Sequence, residues 1–131
     1  MHRTIAQLSL IVKDYDEAID FYVNKLNFLL LEDTQLTPTK RWVVVAPDPK
    51  GCRLLLAKAS DDEQLSRVGN QTGGRVFLFL HTDDIQREIR NFEAHNITIV
   101  RPPSVQPYGT VAVFADLYGN LWDLIQPPTT A

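Results

Sequence analysis

Apolar and polar positions along this chain follow two patterns, one typical of strands and one typical of helices, and the predicted order of elements occurs twice. Residues 5–12 and 77–82 are mostly apolar runs typical of strands. Each run is followed by acidic residues and then by apolar positions at helical spacing, which predict an amphipathic helix. Tyr22 in the first helix and Phe92 in the second occupy the same place in this pattern. We therefore interpret the chain as a duplicated unit.

The first copy is predicted to hold one helix and four strands. Asp14, with Glu17 three residues later, has the pattern of a capping box, and Asn27 follows the last helical turn. A turn is expected at residues 47–51, which contain two prolines and a glycine. The order of elements is therefore βαβββ. The predicted strands of this copy span residues 5–12, 28–32, 41–46 and 52–57.

The second copy has the same predicted order. Its helix is expected over residues 84–95 and ends at Asn96. Pro102 and Pro103 are expected to end the strand that follows the helix, because proline cannot donate a hydrogen bond to a sheet. The predicted strands of this copy span residues 77–82, 97–100, 111–115 and 121–126.

A single copy would leave an apolar sheet face and a row of strand edges exposed. Two copies can bury these surfaces together, so we predict one α+β domain with a central cavity. In it, two tandem βαβββ modules form a cupped, partly closed mixed sheet with the helices outside. Module 1 is expected to span about residues 4–58, the polar segment 59–74 is interpreted as a linker, and module 2 spans about residues 75–127.

Composition narrows the class of protein. The chain has 131 residues, of which 44% are hydrophobic, and this fits one compact globular domain. The formal charge is −3 and the 13 basic residues are scattered, so no nucleic-acid partner is expected. There is no apolar run long enough to cross a bilayer and no signal-peptide pattern, and the one cysteine, Cys52, cannot form an internal disulfide. We therefore expect a cytoplasmic protein with no membrane partner.

Three segments carry a resemblance to a known family: residues 9–22, residues 25–28, and the hairpin 111–125 with its Asp-x-x-Gly-Asn turn. This pattern resembles the vicinal oxygen chelate superfamily, also called the glyoxalase/bleomycin-resistance/dioxygenase fold. The resemblance covers nearly the whole chain apart from the linker. Family members more often have glycine at the helix ends, where this chain has Asn27 and Asn96. Asparagine tolerates the left-handed conformation, so we expect these turns to form.

The resemblance implies a site for a divalent metal with four ligands, two from each copy. Carried over by position, these ligands would be Gln7 and Phe77 on the first strands, with Leu55 and Asp123 on the last strands. Phenylalanine and leucine have no lone pair to give to a metal, so only Gln7 and Asp123 remain as candidate ligands. We therefore predict no cofactor. Instead, Leu55 and Phe77 are expected to line an apolar cavity, with Gln7 and Asp123 as its polar anchors.

Further candidates lie near these positions. Phe79 and His81 share a strand face with Phe77 because side chains alternate along a strand. His81 is either a base or proton shuttle, or a strand-end histidine at the rim of the cavity. Tyr108 either caps a ligand or packs in its turn, and Arg41 either contacts an anionic ligand or is a solvated charge at a sheet edge. The candidate ligand-binding residues are Gln7, Leu55, Phe77, Phe79, Tyr108, Asp123 and Arg41, and the catalytic candidates are Asp123 and His81.

The resemblance leaves several functions open. The favoured one is a small-molecule binding protein of the glyoxalase/bleomycin-resistance type, with an apolar cavity and a degenerate metal site. The alternative enzyme is a metal-dependent lyase or isomerase that uses Gln7 and Asp123 as partial ligands. A ring-cleaving dioxygenase is disfavoured because no histidine occupies a matched position, and a regulatory module that only retains the fold is a third class.

The resemblance also implies a homodimer, because paired modules from two chains commonly complete the cups in this superfamily. Apolar strands such as residues 42–46 would be covered in such an assembly. The identity of the ligand and the pairing of modules within or between chains are not set by the sequence.

Overall fold

The computed structural model describes residues 1–129, and the chain divides into two compact units, Met1–Val68 and Gly69–Ala131. The first unit has one four-stranded sheet in the order β1-β4-β3-β2, in which β1 and β4 are parallel and the other pairs are antiparallel. Its elements are β1 (Gln7–Val12), α1 (Tyr15–Ile19) with a π-helical continuation (Asp20–Lys25), β2 (Leu29–Gln35), β3 (Arg41–Ala46), β4 (Arg53–Lys58) and α2 (Asp62–Arg67).

The second unit repeats this topology. Its sheet has the order β5-β8-β7-β6, again with one parallel pair, β5 and β8, and two antiparallel pairs. The predicted α+β architecture of two tandem βαβββ units is therefore confirmed, and neither four-stranded sheet closes on itself. The elements of this unit are β5 (Leu78–His81), α3 (Ile85–Ala94), β6 (Ile99–Gln106), β7 (Gly109–Ala115) and β8 (Leu121–Gln126).

The helix ends form as the sequence predicts. The Asp14 carboxylate accepts a 2.9 Å hydrogen bond from the Glu17 amide, and the Asp84 carboxylate accepts a 3.1 Å bond from the Arg87 amide. Each bond satisfies an amide that has no partner within its helix. The helices are followed by Asn27 and Asn96 with φ of 64° and 55°, the left-handed conformation that asparagine tolerates.

One face of the first sheet forms a core against α1. Leu10, Leu56 and Val43 lie opposite one another on three neighbouring strands and are completely buried. Ala18 and Tyr22 from the helical segment are also completely buried. Burial of these side chains removes apolar surface from water, which is the main stabilising contribution in a domain of this size.

An aromatic cluster forms the core of the second unit. The Phe92 ring of α3 lies 4.7 Å from the Phe114 ring, and Phe114 stacks on Trp122 with ring centroids 5.7 Å apart. These contacts place Trp122 on the sheet face that meets α3. Asp123 follows Trp122 in β8, so its side chain points to the opposite face, as the alternation predicts.

The segment interpreted as a linker contains a helix that the sequence pattern did not predict. In α2, the Asp61 carboxylate caps the helix by accepting a 2.8 Å hydrogen bond from the Gln64 amide, and the helix lies against β1. The helix is short and polar, and Leu65, its one large apolar side chain, is exposed. Hydrophobic periodicity therefore gave no signal for it.

The prediction that Pro102 and Pro103 end their strand is wrong. Strand β6 continues through both prolines to Gln106, and its register with β7 shifts between Arg101 and Ser104. The strand lies at the edge of its sheet, where a missing N–H need not interrupt a ladder of hydrogen bonds. Among the helices of residues 1–129, none is long and apolar enough to cross a membrane.

Candidate functional site

In the first unit, two of the predicted ligand-binding residues lie on the face opposite α1. Leu55 of β4 lies between Ser9 of β1 and Val44 of β3. Because side chains alternate along a strand, these three lie on the face opposite that of Leu56. Gln7 lies on the same face, two residues before Ser9. Strand spacing and rise place its Cα about 8 Å from that of Leu55. The structure therefore brings Gln7 and Leu55 to one face, as neighbours along a diagonal.

In the second unit, the face opposite α3 carries Asp123 between two apolar side chains. Phe79 lies opposite Asp123 on β5, and Val113 lies opposite it on β7. Phe77 comes two residues before Phe79 on the same face, and its amide donates a 2.7 Å hydrogen bond to the Leu121 carbonyl. The direct neighbour of Asp123 is thus Phe79, while Phe77 lies on the diagonal.

Burial and charge act on the Asp123 carboxyl in opposite directions. Burial raises its pKa above the usual range of an aspartate, and the positive charge of Arg101 partly offsets that rise. Within residues 1–129, its carboxylate takes part in no ion pair and no side-chain hydrogen bond. A partly desolvated carboxyl without a protein partner is costly to the fold and is typical of a functional site.

Arg101 is the residue that the sequence pattern missed. It lies on the edge strand β6, opposite Val113, so it is on the same sheet face as Asp123. Its side chain is exposed. The sequence offered no signal for this position, because the prolines that follow it suggested that the strand had already ended.

Arg41 forms ion pairs within its own unit, while a contact with a ligand stays a prediction. Its guanidinium donates two hydrogen bonds to Asp33, of 3.1 and 2.7 Å, and one of 2.8 Å to Asp16. These bonds raise the pKa of Arg41, Asp33 having the larger effect, and the guanidinium carbon lies 5.2 Å from the centre of the Tyr15 ring. The side chain therefore points towards α1, on the sheet face opposite that of Gln7 and Leu55.

The alternative reading of Arg41 as a solvated edge charge is wrong. Strand β3 is an interior strand, and the Arg41 side chain is only 20% exposed. Arg41 instead ties α1, β2 and β3 together.

The two remaining candidates are exposed. His81 is the last residue of β5, and its side chain is exposed on the face that also carries Phe79. Tyr108 lies in the turn between β6 and β7 and is 60% exposed. Their positions at a strand end and in a turn agree with the sequence pattern, while their roles towards a ligand stay predictions.

The residues of this chain do not fit the four-ligand metal site that the resemblance implies. Two of the four matched positions hold the apolar side chains Leu55 and Phe77. In the described part of the chain, no three His, Cys, Asp or Glu side chains form a group that could hold a metal ion. A divalent metal in a protein needs several oxygen, nitrogen or thiolate ligands at once.

Comparison with known proteins agrees with this architecture. The chain is 60% identical over 128 residues to an uncharacterized protein of Shewanella frigidimarina (strain NCIMB 400), with 96% of this chain and 95% of that protein covered. The fold of the present chain matches the crystal structure of UcmS2 with a TM-score of 0.82 at 25% identity, and the match covers 95% of this chain and 98% of that chain.

A second solved structure is that of TnmS3, an antibiotic binding protein from Streptomyces sp. CB03234. It matches with a TM-score of 0.78 at 29% identity, and 98% of each chain is covered. The model of the Glyoxalase/Bleomycin resistance protein/Dioxygenase superfamily matches residues 4–124. The duplicated topology, the hairpin turn and this match over nearly the whole length lead to one conclusion: the chain belongs to the glyoxalase/bleomycin resistance protein/dioxygenase superfamily.

Proposed function

We propose that this protein is a small-molecule binding protein of the glyoxalase/bleomycin-resistance type that works without a metal. The observation that carries the proposal is the pair of apolar side chains, Leu55 and Phe77, at two of the four matched metal positions. Apolar side chains at these places suit an organic ligand that is held by packing and a few hydrogen bonds. The likeness to TnmS3, which is an antibiotic binding protein, supports this class of function.

The face of the second sheet opposite α3 is a better candidate for the binding surface than the face of the first sheet opposite α1. Phe79 is 64% exposed there, and large exposed apolar side chains are a feature of binding surfaces when they form a patch. Phe77, which is partly exposed, extends the apolar area, and Asp123 supplies a carboxyl group that forms no ion pair or side-chain hydrogen bond among the described residues. Such a mixture of apolar surface with few polar groups is typical of small-molecule sites.

A metal-dependent lyase or isomerase remains the alternative. It would need a metal held by Gln7 and Asp123, with other donors completing the coordination. Two ligands of which one is a neutral amide make a poor site for a hard divalent cation. Since no third acidic, histidine or cysteine group joins them among the described residues, we do not favour this function.

A thermal-shift screen combined with elemental analysis tests the proposal. Purified protein is screened against a library of organic compounds before and after dialysis against EDTA. We expect at least one compound to raise the unfolding midpoint by several degrees, equally in both samples, because a ligand that binds only the folded state stabilises it. Stoichiometric metal in the purified protein, together with loss of every ligand-induced shift after EDTA, would show that the alternative is right.

We further propose that the protein is a homodimer, although its apolar strand at residues 42–46 does not support the proposal. Val43 to Ala46 of β3 are already buried within the chain. The support now comes from the edge strand β2, where Leu29, Leu30 and Leu31 are each at least 40% exposed. Light scattering at micromolar concentration should give about twice the chain mass of 14.9 kDa. A monomeric mass would rule the dimer out.

A further inference from the structure

A row of four side chains crosses the second sheet from edge to edge on the face opposite α3. Phe79 of β5 lies opposite Asp123 of β8, Asp123 lies opposite Val113 of β7, and Val113 lies opposite Arg101 of β6. The row therefore presents an aromatic ring, a carboxyl, an aliphatic side chain and a guanidinium in that order. Strand spacing makes its span about 14 Å between the outer Cα atoms.

The two outer members of this row, Phe79 and Arg101, are accessible to a ligand, Asp123 is partly exposed, and Val113 between Asp123 and Arg101 is buried. Phe79 is 64% exposed, and the Arg101 side chain is also exposed. In the described part of the chain, neither Asp123 nor Arg101 forms an ion pair, although the charge of Arg101 is close enough to affect the pKa of Asp123. The two opposite charges flank Val113 without neutralising each other directly.

The duplicated sheet shows that the fold does not require these residues. The corresponding row of the first sheet is Ser9, Leu55, Val44 and Glu32, by the same pairing of β1, β4, β3 and β2. Only the valine is the same in both rows. The aromatic, acidic and basic members of the second row are therefore not explained by the needs of a four-stranded sheet with this topology.

We propose that this row selects the ligand of the proposed small-molecule binding function, and that the ligand is a planar aromatic molecule with an N–H or cationic group beside its ring and an acidic group farther along. The ring stacks on Phe79, the N–H or cationic group donates to Asp123, and the acidic group accepts from Arg101. The inference rests on the proposed function and deepens it by naming a ligand class.

Each contact has a physical basis. Aromatic rings gain from offset stacking beyond the apolar area that they bury. A hydrogen bond to a carboxylate is among the stronger polar contacts, and it gains when the carboxylate is partly desolvated, as that of Asp123 is. An arginine guanidinium binds a carboxylate through two parallel hydrogen bonds. A ligand lacking the donor would leave the Asp123 carboxylate partly desolvated without a hydrogen-bond partner, which is the basis for discrimination.

Three probes separate these contacts in fluorescence and calorimetric titrations at neutral pH. Proflavine is a planar cation with N–H donors, acridine has the same ring without donors or charge, and an acridine carboxylate adds an acidic group. We expect proflavine to bind about tenfold more tightly than acridine, since a charge-assisted hydrogen bond is worth about that factor. We expect D123N to remove this difference, while F79A weakens both probes about fivefold.

Arg101 is tested with the third probe. The acridine carboxylate should lose about tenfold in affinity in R101Q, while proflavine binding stays within about twofold. The matched controls are E93Q, which removes an exposed charge on α3, and V105A, which truncates an exposed apolar side chain of β6 on the other sheet face. Both should bind all probes within about twofold of the unchanged protein.

The outcomes distinguish the inference from the proposed function. If D123N and F79A bind proflavine as tightly as the unchanged protein, or if E93Q weakens binding as much as D123N does, the row does not select the ligand. If no acridine binds but other compounds of the library stabilise the protein, the inference is wrong and the proposed function stands. If no compound of any class stabilises the protein, the proposed function fails, and the inference fails with it.

Discussion

At the scale of single residues, the environment of a side chain depends on which face of its strand it occupies. Trp122 and Asp123 are adjacent in sequence, yet Trp122 packs in the aromatic core and Asp123 lies on the opposite face beside Phe79. Arg41 shows the same principle, because its position in β3 directs it to Asp33 and α1, on the face opposite that of Gln7 and Leu55. Residue type alone therefore does not show which face of the sheet a side chain occupies.

Substitution of Asp123 by Asn should stabilise the protein at neutral pH. The pKa of Asp123 is raised in the folded state by burial, so folding favours the protonated form over the ionised one. Ionisation of Asp123 therefore lowers the free energy of unfolding of the unchanged protein. This loss is absent below the pKa that Asp123 has in the unfolded chain, and it grows as the pH rises through the raised pKa that it has in the folded state. Urea unfolding of both proteins from about pH 4 to about pH 8 measures the difference between their free energies of unfolding. A difference that does not change with pH would contradict the burial of this carboxyl.

Replacement of Arg41 by Met should cost about 1 kcal/mol of unfolding free energy, because a two-bond ion pair with Asp33 is lost from a partly exposed setting. The loss should shrink in about 1 M salt, which screens such pairs. Ligand binding should be unchanged, since Arg41 lies on the α1 side of its sheet. Urea unfolding and the probe titrations measure the two effects. Arg75→Met, at an exposed arginine with no ion pair among the described residues, is the control.

At the scale of elements, the turn between β7 and β8 fixes the register that places Asp123. The buried Asp116 carboxylate accepts 2.9 Å hydrogen bonds from the amides of Tyr118 and Asn120 and from the Asn120 side chain. Gly119 between them has φ of 101°, which only glycine adopts without strain. These contacts explain the Asp-x-x-Gly-Asn pattern as a turn with an internal acceptor. A shift of this register by one residue would move Asp123 to the core face.

Substitution of Asp116 by Ala should cost about 3 kcal/mol of unfolding free energy, because several buried donors lose their acceptor. Asp116→Asn should cost less, since its amide oxygen can still accept. The corresponding turn of the first unit offers a matched control. There, Asp48 is exposed and accepts a bond of 2.8 Å from the Lys50 amide, so Asp48→Ala should cost less than about 1 kcal/mol. Equal losses in the two alanine variants would show that the burial of Asp116 is unimportant.

At the scale of the whole molecule, duplication supplies one topology twice, and the two copies then differ in chemistry. Both sheets have a parallel pair at one side and an antiparallel meander at the other. The first copy has Leu55 where the second has Asp123, so one of the two matched positions holds an apolar side chain and the other a carboxyl group. The family membership therefore specifies the scaffold, while the side chains on the sheet faces specify what the scaffold can hold.

Removal of divalent metal should leave the folded protein unchanged. The described residues contain no group of acidic, histidine and cysteine side chains suited to a metal, so EDTA should shift the unfolding midpoint by less than about 1 °C. Addition of zinc or manganese should likewise have no effect. Differential scanning calorimetry of dialysed protein measures both. A drop of several degrees with EDTA that is reversed by metal would mean that Gln7 and Asp123 do hold a cation.

The sequence by itself determined the elements, their order and the duplication. Strand alternation, helical spacing and the cap at Asp14 are local signals, and the predicted cap formed. The exceptions were local as well. Helix α2 lacks an apolar stripe, and the prolines of β6 are tolerated because that strand lies at a sheet edge, a fact that depends on strand order and not on sequence spacing.

Only the tertiary structure decided which residues from distant strands become neighbours. Phe79, Asp123, Val113 and Arg101 come from four strands, and the register of strand pairing is what aligns them in one row. The same register put Phe79 instead of Phe77 directly beside Asp123, and interior pairing of β3 turned Arg41 towards α1. Register and strand order arise from hydrogen bonds between segments far apart in the chain, so no local pattern of residues contains them.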